Sequence, residues 1–225
     1  MRKLLILLLV TAATIYVMPG IFTARQLANE HYEKAAQLIT TAKEDRKSSI
    51  DFSELTHLRQ LPPTILEIED LYSLNLDGTE IASLEIVAQL PALARLSIRE
   101  TPVTDLTPLA RLKNLHSLDI GKSRVRNLEP LAQIEYLATL DIGTTEILSL
   151  EPLTRAKFLL WVNLHRSYAM DGSKQHYDRL HQLVPEVYNG SAFKQNYVPG
   201  QLYLITTRLN RLATDLYLPE PFPRS

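Results

Sequence analysis

Five leucines recur at a fixed interval of 22 residues, and this interval constrains the fold more than any other feature of the chain. They open five similar runs with apolar first, fourth and sixth positions: LYSLNL, LARLSI, LHSLDI, LATLDI and LLWVNL. A hydroxyl residue follows each run three positions later, so one structural unit is repeated about five times. The leucines are Leu71, Leu93, Leu115, Leu137 and Leu159, and the hydroxyl residues are Thr79, Thr101, Ser123, Thr145 and Ser167.

Two spacings divide each unit into two parts. Apolar and polar residues alternate inside the run, as at Leu74 and Leu76, which predicts a short half-buried strand. After the hydroxyl residue, apolar positions recur every three residues, and this favours 3₁₀ turns over an α-helix. A proline at a shared offset suits the first turn of such a segment, because no inner hydrogen bond needs its missing N–H. These prolines are Pro108, Pro130 and Pro152.

A single unit of this kind cannot fold alone, because its few aliphatic side chains do not offset the entropy of ordering its backbone. Neighbouring units must cover its open edges. We therefore expect the strands to align into a parallel sheet on the inner side of a curved stack. The hydroxyl residues are expected to satisfy backbone groups of the buried turns.

The repeat pattern is L-x-x-L-x-L-x-x-T-x-I-x-x-L-x-P-L-x-x-L-x-x, and the segment LHSLDIGKSRVRNLEPLAQI, residues 115–134, is its cleanest copy. It resembles the 22-residue internalin-type leucine-rich repeat of bacteria, over about residues 71–167. The resemblance implies an α/β leucine-rich repeat solenoid, with a parallel sheet on the concave side and 3₁₀ or extended segments on the convex side. It also implies a ligand on the concave sheet and no catalytic residues.

Residues 1–23 are predicted to be a signal anchor or a signal peptide. Arg2 and Lys3 precede 19 uncharged residues, 4–22, which are enough to span a bilayer of about 30 Å. A cut after Gly20 would place Met18 at position −3, where a small residue is expected, so we favour a retained membrane anchor over secretion after cleavage. Either route predicts an extracytoplasmic protein, in the periplasm or at the cell surface.

Residues 24–62 are predicted to form a helical stalk and an N-terminal cap. Asp51 and Glu54 form a D-x-x-E helix start, and the pair Pro62-Pro63 ends that helix, which we expect to cover the first repeat. Before it, spacings of three and four indicate an amphipathic helix. Its expected packed face is Leu27, His31, Ala35, Leu38 and Ala42.

The repeats are assigned to residues 63–170, and residues 171–225 to a mixed C-terminal cap. A turn is expected at Asn189-Gly190. A partner-binding tail is the alternative to a cap, with aromatic anchors at Tyr197, Tyr203 and Tyr217. The helical face that favours a cap consists of Tyr177, Leu180, His181 and Val184.

The third, fifth and seventh positions of each run should face solvent on the concave sheet. Trp161 is either a binding anchor or covered by the C-terminal segment. Asp119 and Asp141 on neighbouring strands either hold a cationic group or are solvated beside an arginine, because adjacent carboxylates repel. The candidate partner-binding residues are Arg95, Arg99, Asp119, Asp141, Trp161, Asn163 and His165.

Enzyme and nucleic-acid classes are disfavoured. The net charge of −1 and the pI of about 6.6 argue against a nucleic-acid footprint. No zinc-hydrolase, nucleophile-elbow or phosphate-loop motif is present, so we expect no catalytic residue, metal or small-molecule cofactor. The sequence predicts a non-enzymatic, exported module that binds a protein partner on its concave face. The alternative is a structural or assembly component of the cell envelope that acts through its caps or stalk.

Overall fold

The computed structural model describes residues 2–169 and 174–188, and its description of side chains begins at Thr23. An N-terminal helix leads into a parallel sheet, and a 3₁₀ segment follows each of five strands. The α-helices are α1 (Arg2–Glu44) and α2 (Lys174–Leu183). The strands are β1 (Ser49–Asp51), β2 (Ser73–Asn75), β3 (Arg95–Ser97), β4 (Ser117–Asp119), β5 (Thr139–Asp141), β6 (Glu146–Ile147), β7 (Trp161–Asn163), β8 (Tyr168–Ala169) and β9 (Glu186–Tyr188). The 3₁₀ segments are η1 (Pro63–Glu67), η2 (Val87–Gln89), η3 (Thr107–Arg111), η4 (Glu129–Gln133) and η5 (Glu151–Arg155).

The main sheet has seven strands in the order β1-β2-β3-β4-β5-β7-β9, and all neighbouring pairs are parallel. Residues one period apart lie side by side, so Leu74 pairs with Leu96 and Leu118 with Leu140. This register confirms the predicted parallel stack. Strands β6 and β8 form a second, two-stranded parallel sheet.

The core runs through the stack between the sheet and the 3₁₀ segments. All five period-defining leucines are buried, and so are the apolar fourth and sixth positions. The 3₁₀ segments pack against one another in chain order from η2 to η5. In η3, η4 and η5 the proline occupies the second position, as the shared offset predicted. The return half of the repeats therefore contains 3₁₀ turns, as the spacing of three indicated.

The hydroxyl residues satisfy backbone carbonyl groups inside the stack. The Oγ1 atoms of Thr79 and Thr101 each donate to the carbonyl oxygen three residues earlier, at 2.7 Å. Thr145 makes the equivalent bond to Ile142, and Ser167 of the next repeat donates to the same carbonyl. The predicted role is confirmed for these four residues, because buried carbonyl groups require a partner. The Ser123 hydroxyl instead accepts the Val125 amide at 3.4 Å, which also satisfies a backbone group.

A left-handed residue follows the seventh position of every repeat. Its φ angle lies between 54° and 68° in all five cases. This conformation costs an L-residue about 1–2 kcal/mol, and only glycine avoids the cost. Four of the five repeats therefore carry strain at this position. The residues are Gly78, Glu100, Lys122, Thr144 and Arg166.

Helix α1 covers the N-terminal end of the stack and contacts β1 and η1. Ala35, Ile39 and Ala42 are buried, so two residues of the predicted face are confirmed. Leu38 was predicted to pack, but it is 42% exposed, and Leu27 is 39% exposed. The predicted face was wrong at these positions because Ile39, one residue further on, meets the core.

The helix predicted to start at Asp51 is absent, and that prediction was wrong. Residues 49–51 instead form β1, which pairs with β2 and adds a strand to the sheet ahead of the leucine-marked repeats. The Asp51 carboxylate accepts the Ser53 amide at 2.8 Å, and this bond caps a turn. The apolar residues Leu55 and Leu58 are spaced for successive three-residue turns, with each amide bonded three residues back. Pro63 begins η1.

Of the C-terminal segment, the structure describes residues 174–188, and these form both a helix and a strand, as expected of a mixed cap. Helix α2 packs against η5, and β9 extends the sheet beside β7. Leu180 and Val184 are buried, whereas His181 of the predicted face is exposed. The predicted turn at Asn189-Gly190 and the three candidate tyrosine anchors lie outside the described residues.

Among the described residues, no helix is both long enough and apolar enough to span a bilayer. The predicted membrane segment, residues 4–22, belongs to the first half of α1, where side chains are not described. Membrane anchoring therefore stays a prediction.

Candidate functional site

The candidate site is the solvent-facing side of the main sheet, which we call the concave face. It is formed by the third, fifth and seventh positions of the repeats, because the fourth and sixth point into the core. The third positions are Ser73, Arg95, Ser117, Thr139 and Trp161, and all are partly exposed except Thr139, which is buried, so the predicted exposure was wrong there. The fifth positions are Asn75, Ser97, Asp119, Asp141 and Asn163, and the seventh are Asp77, Arg99, Gly121, Gly143 and His165.

The fifth-position side chains cap their own strands. Oδ1 of Asp119 accepts the Gly121 amide at 2.9 Å, and Oδ1 of Asp141 accepts the Gly143 amide at 2.8 Å. Asparagine makes the same two-residue turn in the first and fifth repeats. These bonds run from the Asp77 amide to Asn75 at 3.0 Å and from the His165 amide to Asn163 at 2.9 Å. The side-chain oxygens of this column therefore fix the ends of the strands, and a ligand would have to compete with these internal hydrogen bonds.

Ser97 is the exception in this column, because Asp77 of the preceding repeat accepts the backbone amide of Arg99 in its place. Oδ1 of Asp77 accepts the Arg99 amide at 2.8 Å and the Ser97 hydroxyl at 2.5 Å. The carboxylate of one repeat thus caps the strand of the next.

Arg99 joins three consecutive repeats across the face. Its Nη1 lies 3.1 and 3.3 Å from the two carboxylate oxygens of Asp119, and 3.7 Å from Oδ2 of Asp141. A Cβ atom at position 121 would lie only 2.9 Å from that nitrogen, so Gly121 leaves the path of the guanidinium open. We call Asp77, Arg99, Asp119, Asp141 and Asn163 the Arg99 network.

The network extends to the fifth repeat, because Nδ2 of Asn163 donates to Oδ2 of Asp141 at 2.9 Å. Burial raises the pKa of Asp119, and the nearby Asp141 charge raises it further. The Gly121 amide and the Arg99 guanidinium oppose this rise. The cation beside the two carboxylates is therefore the chain's own arginine.

The third-position column differs because it carries two large side chains, Arg95 on β3 and Trp161 on β7. The Cζ atom of Arg95 lies 5.3 Å from the centre of the Tyr72 ring. Trp161 is half-buried on β7, with Thr139 beside it on one side and Glu186 of β9 on the other. The C-terminal segment thus adds a strand next to Trp161 without burying it fully.

Solved structures with this architecture include bacterial repeat proteins. An internalin (inlF) from Listeria monocytogenes is 22% identical with a TM-score of 0.50, and the match covers 62% of this chain and 49% of the internalin. A leucine-rich repeat protein from Leptospira interrogans is 24% identical with a TM-score of 0.50, over 58% of this chain and 34% of that one. This chain therefore spans half or less of these two relatives. No protein-family model and no curated protein matched the sequence.

The chain has the leucine-rich repeat fold with internalin-type repeats. At these identities the likeness establishes the fold alone. The 22-residue period, the parallel register and the 3₁₀ returns agree with it in detail.

The leucine-rich repeats bring most of the predicted site residues together. Arg99, Asp119, Asp141 and Asn163 form one network, and the amide of His165 bonds to its last member. Arg95 and Trp161 lie on the other column, with β4 and β5 between their strands. Within the described residues, no group of three or more His, Asp or Glu side chains is placed to hold a metal ion.

One pair on the repeats was missed by sequence reasoning. His116 is buried, and its Nε2 lies 3.1 Å from the Tyr72 hydroxyl two repeats away. Burial lowers the pKa of His116, which favours the neutral imidazole. The sequence feature that could have indicated this pair is Ala94, which occupies the equivalent position in the repeat between Tyr72 and His116. Its small side chain leaves room for the tyrosine ring to reach across.

Proposed function

We propose that this chain is an exported, non-enzymatic module that captures a protein partner on its concave face. Solenoids suit this task, because stacked repeats build an extended surface whose exposed side chains change without disturbing the core. The observation that carries the proposal is that some polar side chains of the concave face bond within the sheet, whereas others are exposed to a partner. The Arg99 network braces the sheet internally, while Arg95 and Trp161, the two large side chains of the third-position column, stand half-exposed.

The predicted binding residues then fall into two groups. Arg95 and Trp161 would contact the partner directly, since half-exposed arginine and tryptophan are the common anchors of protein interfaces. His165, at the edge of the face near Trp161, would contribute to the rim. The remaining predicted residues would shape and charge the surface between these anchors: Arg99, Asp119, Asp141 and Asn163.

A second candidate function rests on α1. Leu27 and Leu38 are large, partly exposed apolar residues of α1, which packs on the stack through Ala35, Ile39 and Ala42. A structural or assembly component of the cell envelope would use such a helix as a stalk. In either case we propose an extracytoplasmic location, with residues 4–22 as a membrane anchor and secretion after cleavage as the alternative.

The two functions are separated by affinity capture of the epitope-tagged full chain after in-cell cross-linking. Arg95→Gln combined with Trp161→Ser removes both concave anchors, whereas Leu27→Ser combined with Leu38→Ser replaces the two partly exposed leucines of α1. We expect the concave variant to lose the cross-linked partner and the helix variant to keep it. The reverse result supports the stalk function. Arg111→Gln on the 3₁₀ side is the matched control, because its ion pair with Glu85 is exposed.

Two further measurements test the rest of the proposal. Cell fractionation, with the mass of the mature N-terminus, distinguishes an anchor from a cleaved signal. Recovery of the full chain in the cytoplasmic fraction would contradict export. A hydrolase panel with metal analysis on the purified protein tests the absence of catalysis, and we expect no turnover and no bound metal.

A further inference from the structure

A second exposed surface lies on the edge of the repeats where the chain leaves the concave sheet for the 3₁₀ side. Along residues 122–126 and 144–148, exposed residues alternate with more buried ones, as in a half-buried strand. Part of this stretch in the fourth repeat is β6, which pairs with β8. We call the exposed side the lateral face. In the third and fourth repeats its residues are Lys122, Arg124, Arg126, Thr144, Glu146 and Leu148.

The lateral face is continuous across three repeats. The Leu148 amide donates to the Arg126 carbonyl oxygen at 2.8 Å, which joins the third repeat to the fourth. The Thr144 amide donates to the His165 carbonyl oxygen at 2.7 Å, which joins the fourth repeat to the fifth. Arg166 follows His165 and is exposed, so it extends the face by one more cation.

The lateral face carries more positive than negative charge. Two of its cations form ion pairs with glutamates of neighbouring repeats. These pairs are Lys122–Glu100 at 2.5 Å and Arg126–Glu146 at 2.6 Å. Within the described part of the chain, no carboxylate is in ion-pair contact with Arg124 or Arg166, and both residues are exposed. An acidic partner would therefore meet two positive charges without breaking an internal ion pair.

The fold does not require this charge. The equivalent positions of the first two repeats hold no cation. They are Gly78, Glu80 and Ala82 in the first repeat, and Glu100, Pro102 and Thr104 in the second. Like charges on one strand repel and oppose the compact state, so the basic residues of the third repeat contribute nothing to folding by their charge alone.

Leu148 adds an apolar contact to the same face. It keeps 48% of its surface exposed, and its backbone is bonded to that of Arg126. A sulfated sugar or a nucleic acid would use the arginines but would gain nothing from an aliphatic side chain. A protein segment can use both, because interfaces combine apolar contacts with a polar rim.

We propose that the lateral face is a second docking surface, separate from the concave face, for an acidic protein segment. The segment places carboxylates on Arg124 and Arg166 and an apolar side chain on Leu148. A guanidinium binds a carboxylate through two parallel hydrogen bonds, and the apolar contact removes further surface from water. The ionic contacts are exposed, so added salt weakens the binding.

The repeats themselves indicate substitutions that the backbone accepts. Glu146 occupies the position of Arg124 in the next repeat. Glu100 occupies the position of Arg166, with a φ of 55° against 54°. The combined change Arg124→Glu and Arg166→Glu should therefore preserve the fold, and circular dichroism checks this.

The matched control reverses two other exposed cations. Lys113→Glu combined with Lys157→Glu changes the net charge by the same amount. Both lysines stand before their strands, β4 and β7, whereas the lateral face follows the strands. This pair separates an effect of the lateral face from an effect of total charge.

The probe is a short, blocked and fluorescently labelled peptide of alternating glutamate and serine with one central leucine. Its binding to the full-length protein is measured by fluorescence anisotropy at low salt. We expect the arginine reversal to weaken binding by about tenfold or more, and the lysine reversal to change it by less than about twofold.

The apolar contact is tested separately. Leu148→Thr introduces the residue that Thr104 provides at the equivalent position. It should weaken binding of the leucine peptide by about threefold and leave a peptide with serine in place of leucine unaffected. Equal effects on the two peptides would contradict an apolar contact at Leu148 and overturn the proposal.

Three further outcomes would overturn it. The first is the absence of peptide binding, and the second is equal weakening by the arginine and lysine reversals. The third is binding of heparin, a sulfated polysaccharide, in place of the peptide, which would assign the arginines to polyanions in general. The concave variant, Arg95→Gln with Trp161→Ser, should keep its peptide binding, so this result is independent of partner capture on the concave face. Loss of peptide binding in that variant would place the peptide on the concave face and also overturn the proposal.

Discussion

At the scale of single residues, the structure gives the polar columns a different role from the one that their exposure indicated. Asp119 and Asp141 were interpreted either as a cation site or as solvated carboxylates beside an arginine. They are turn caps that share the guanidinium of Arg99, which is 33% exposed. Gly121 permits this arrangement, because a side chain at that position would collide with the guanidinium.

Loss of Arg99 should therefore destabilise the fold in a pH-dependent way. Arg99→Gln leaves two neighbouring carboxylates without their cation, and we expect a loss of about 1–2 kcal/mol at pH 7. The pKa of Asp119 is already raised in the fold, and the substitution removes an influence that lowers it.

The pH dependence has a definite sign. A carboxyl with a raised folded-state pKa favours folding when it is protonated, and this contribution is lost as the pH rises through that pKa. The loss of unfolding free energy caused by Arg99→Gln should thus be smaller in mild acid than at pH 7. Urea unfolding at pH 7 and in mild acid measures it, with Arg111→Gln as the control. A penalty that is independent of pH would contradict the assignment.

The left-handed position gives a second prediction at this scale. Thr144 is β-branched and adopts a φ of 61°, so Thr144→Gly should stabilise the fold by about 0.5–1 kcal/mol. The matched reverse change is Gly78→Thr, where φ is 68° and nothing lies within 4 Å of an added Cβ. It should destabilise by a similar amount through backbone strain alone. Urea midpoints that move in the same direction for both variants would refute this explanation.

At the scale of elements, the repeats followed from periodicity, whereas the N-terminal cap did not. Residues 49–62 carry apolar spacing that also fits a helix, and the Asp51–Glu54 pair resembles a helix start. The segment becomes a strand and turns because β2 offers an open edge at that point. In α1, both Leu38 and Ile39 lie near the stack, and only the docked geometry places Ile39 in the core.

These neighbouring residues of α1 provide a matched test of the cap. Ile39 is 1% exposed, so Ile39→Ala should cost about 2–4 kcal/mol of unfolding free energy. Leu38→Ala should cost clearly less, about 0.5–1 kcal/mol, because that residue keeps 42% of its surface exposed. Denaturant unfolding monitored by circular dichroism measures both variants. Equal losses would mean that α1 docks by a different face.

At the scale of the whole molecule, the 22-residue period determines which deletions the fold can accept. Removing residues 115–136 deletes one complete repeat and keeps the register, because the next repeat has the same phase. Asp141 and Gly143 would then take the places of Asp119 and Gly121 beside Arg99. We expect this shortened chain to fold cooperatively at a lower midpoint, since one inter-repeat interface is lost.

The matched control removes residues 115–135, one residue fewer. That deletion shifts the next strand by one position, so its core side chains would face solvent. Circular dichroism and thermal unfolding distinguish the two chains. Folding of both with similar stability would contradict the requirement for an intact period.

The sequence by itself determined the repeat, its parallel register, the 3₁₀ returns and the column of hydroxyl residues. The register depends on contacts between residues one period apart, whereas the 3₁₀ returns and the threonine–carbonyl bonds join residues three apart. Fixed intervals in the chain encode both kinds of contact directly. Only the tertiary structure decided how the ends are capped and how Arg99 reaches across Gly121 to two carboxylates. It also decided which polar side chains remain for a partner. Those arrangements depend on side-chain reach and competition for hydrogen bonds between repeats, and a one-dimensional pattern does not specify them.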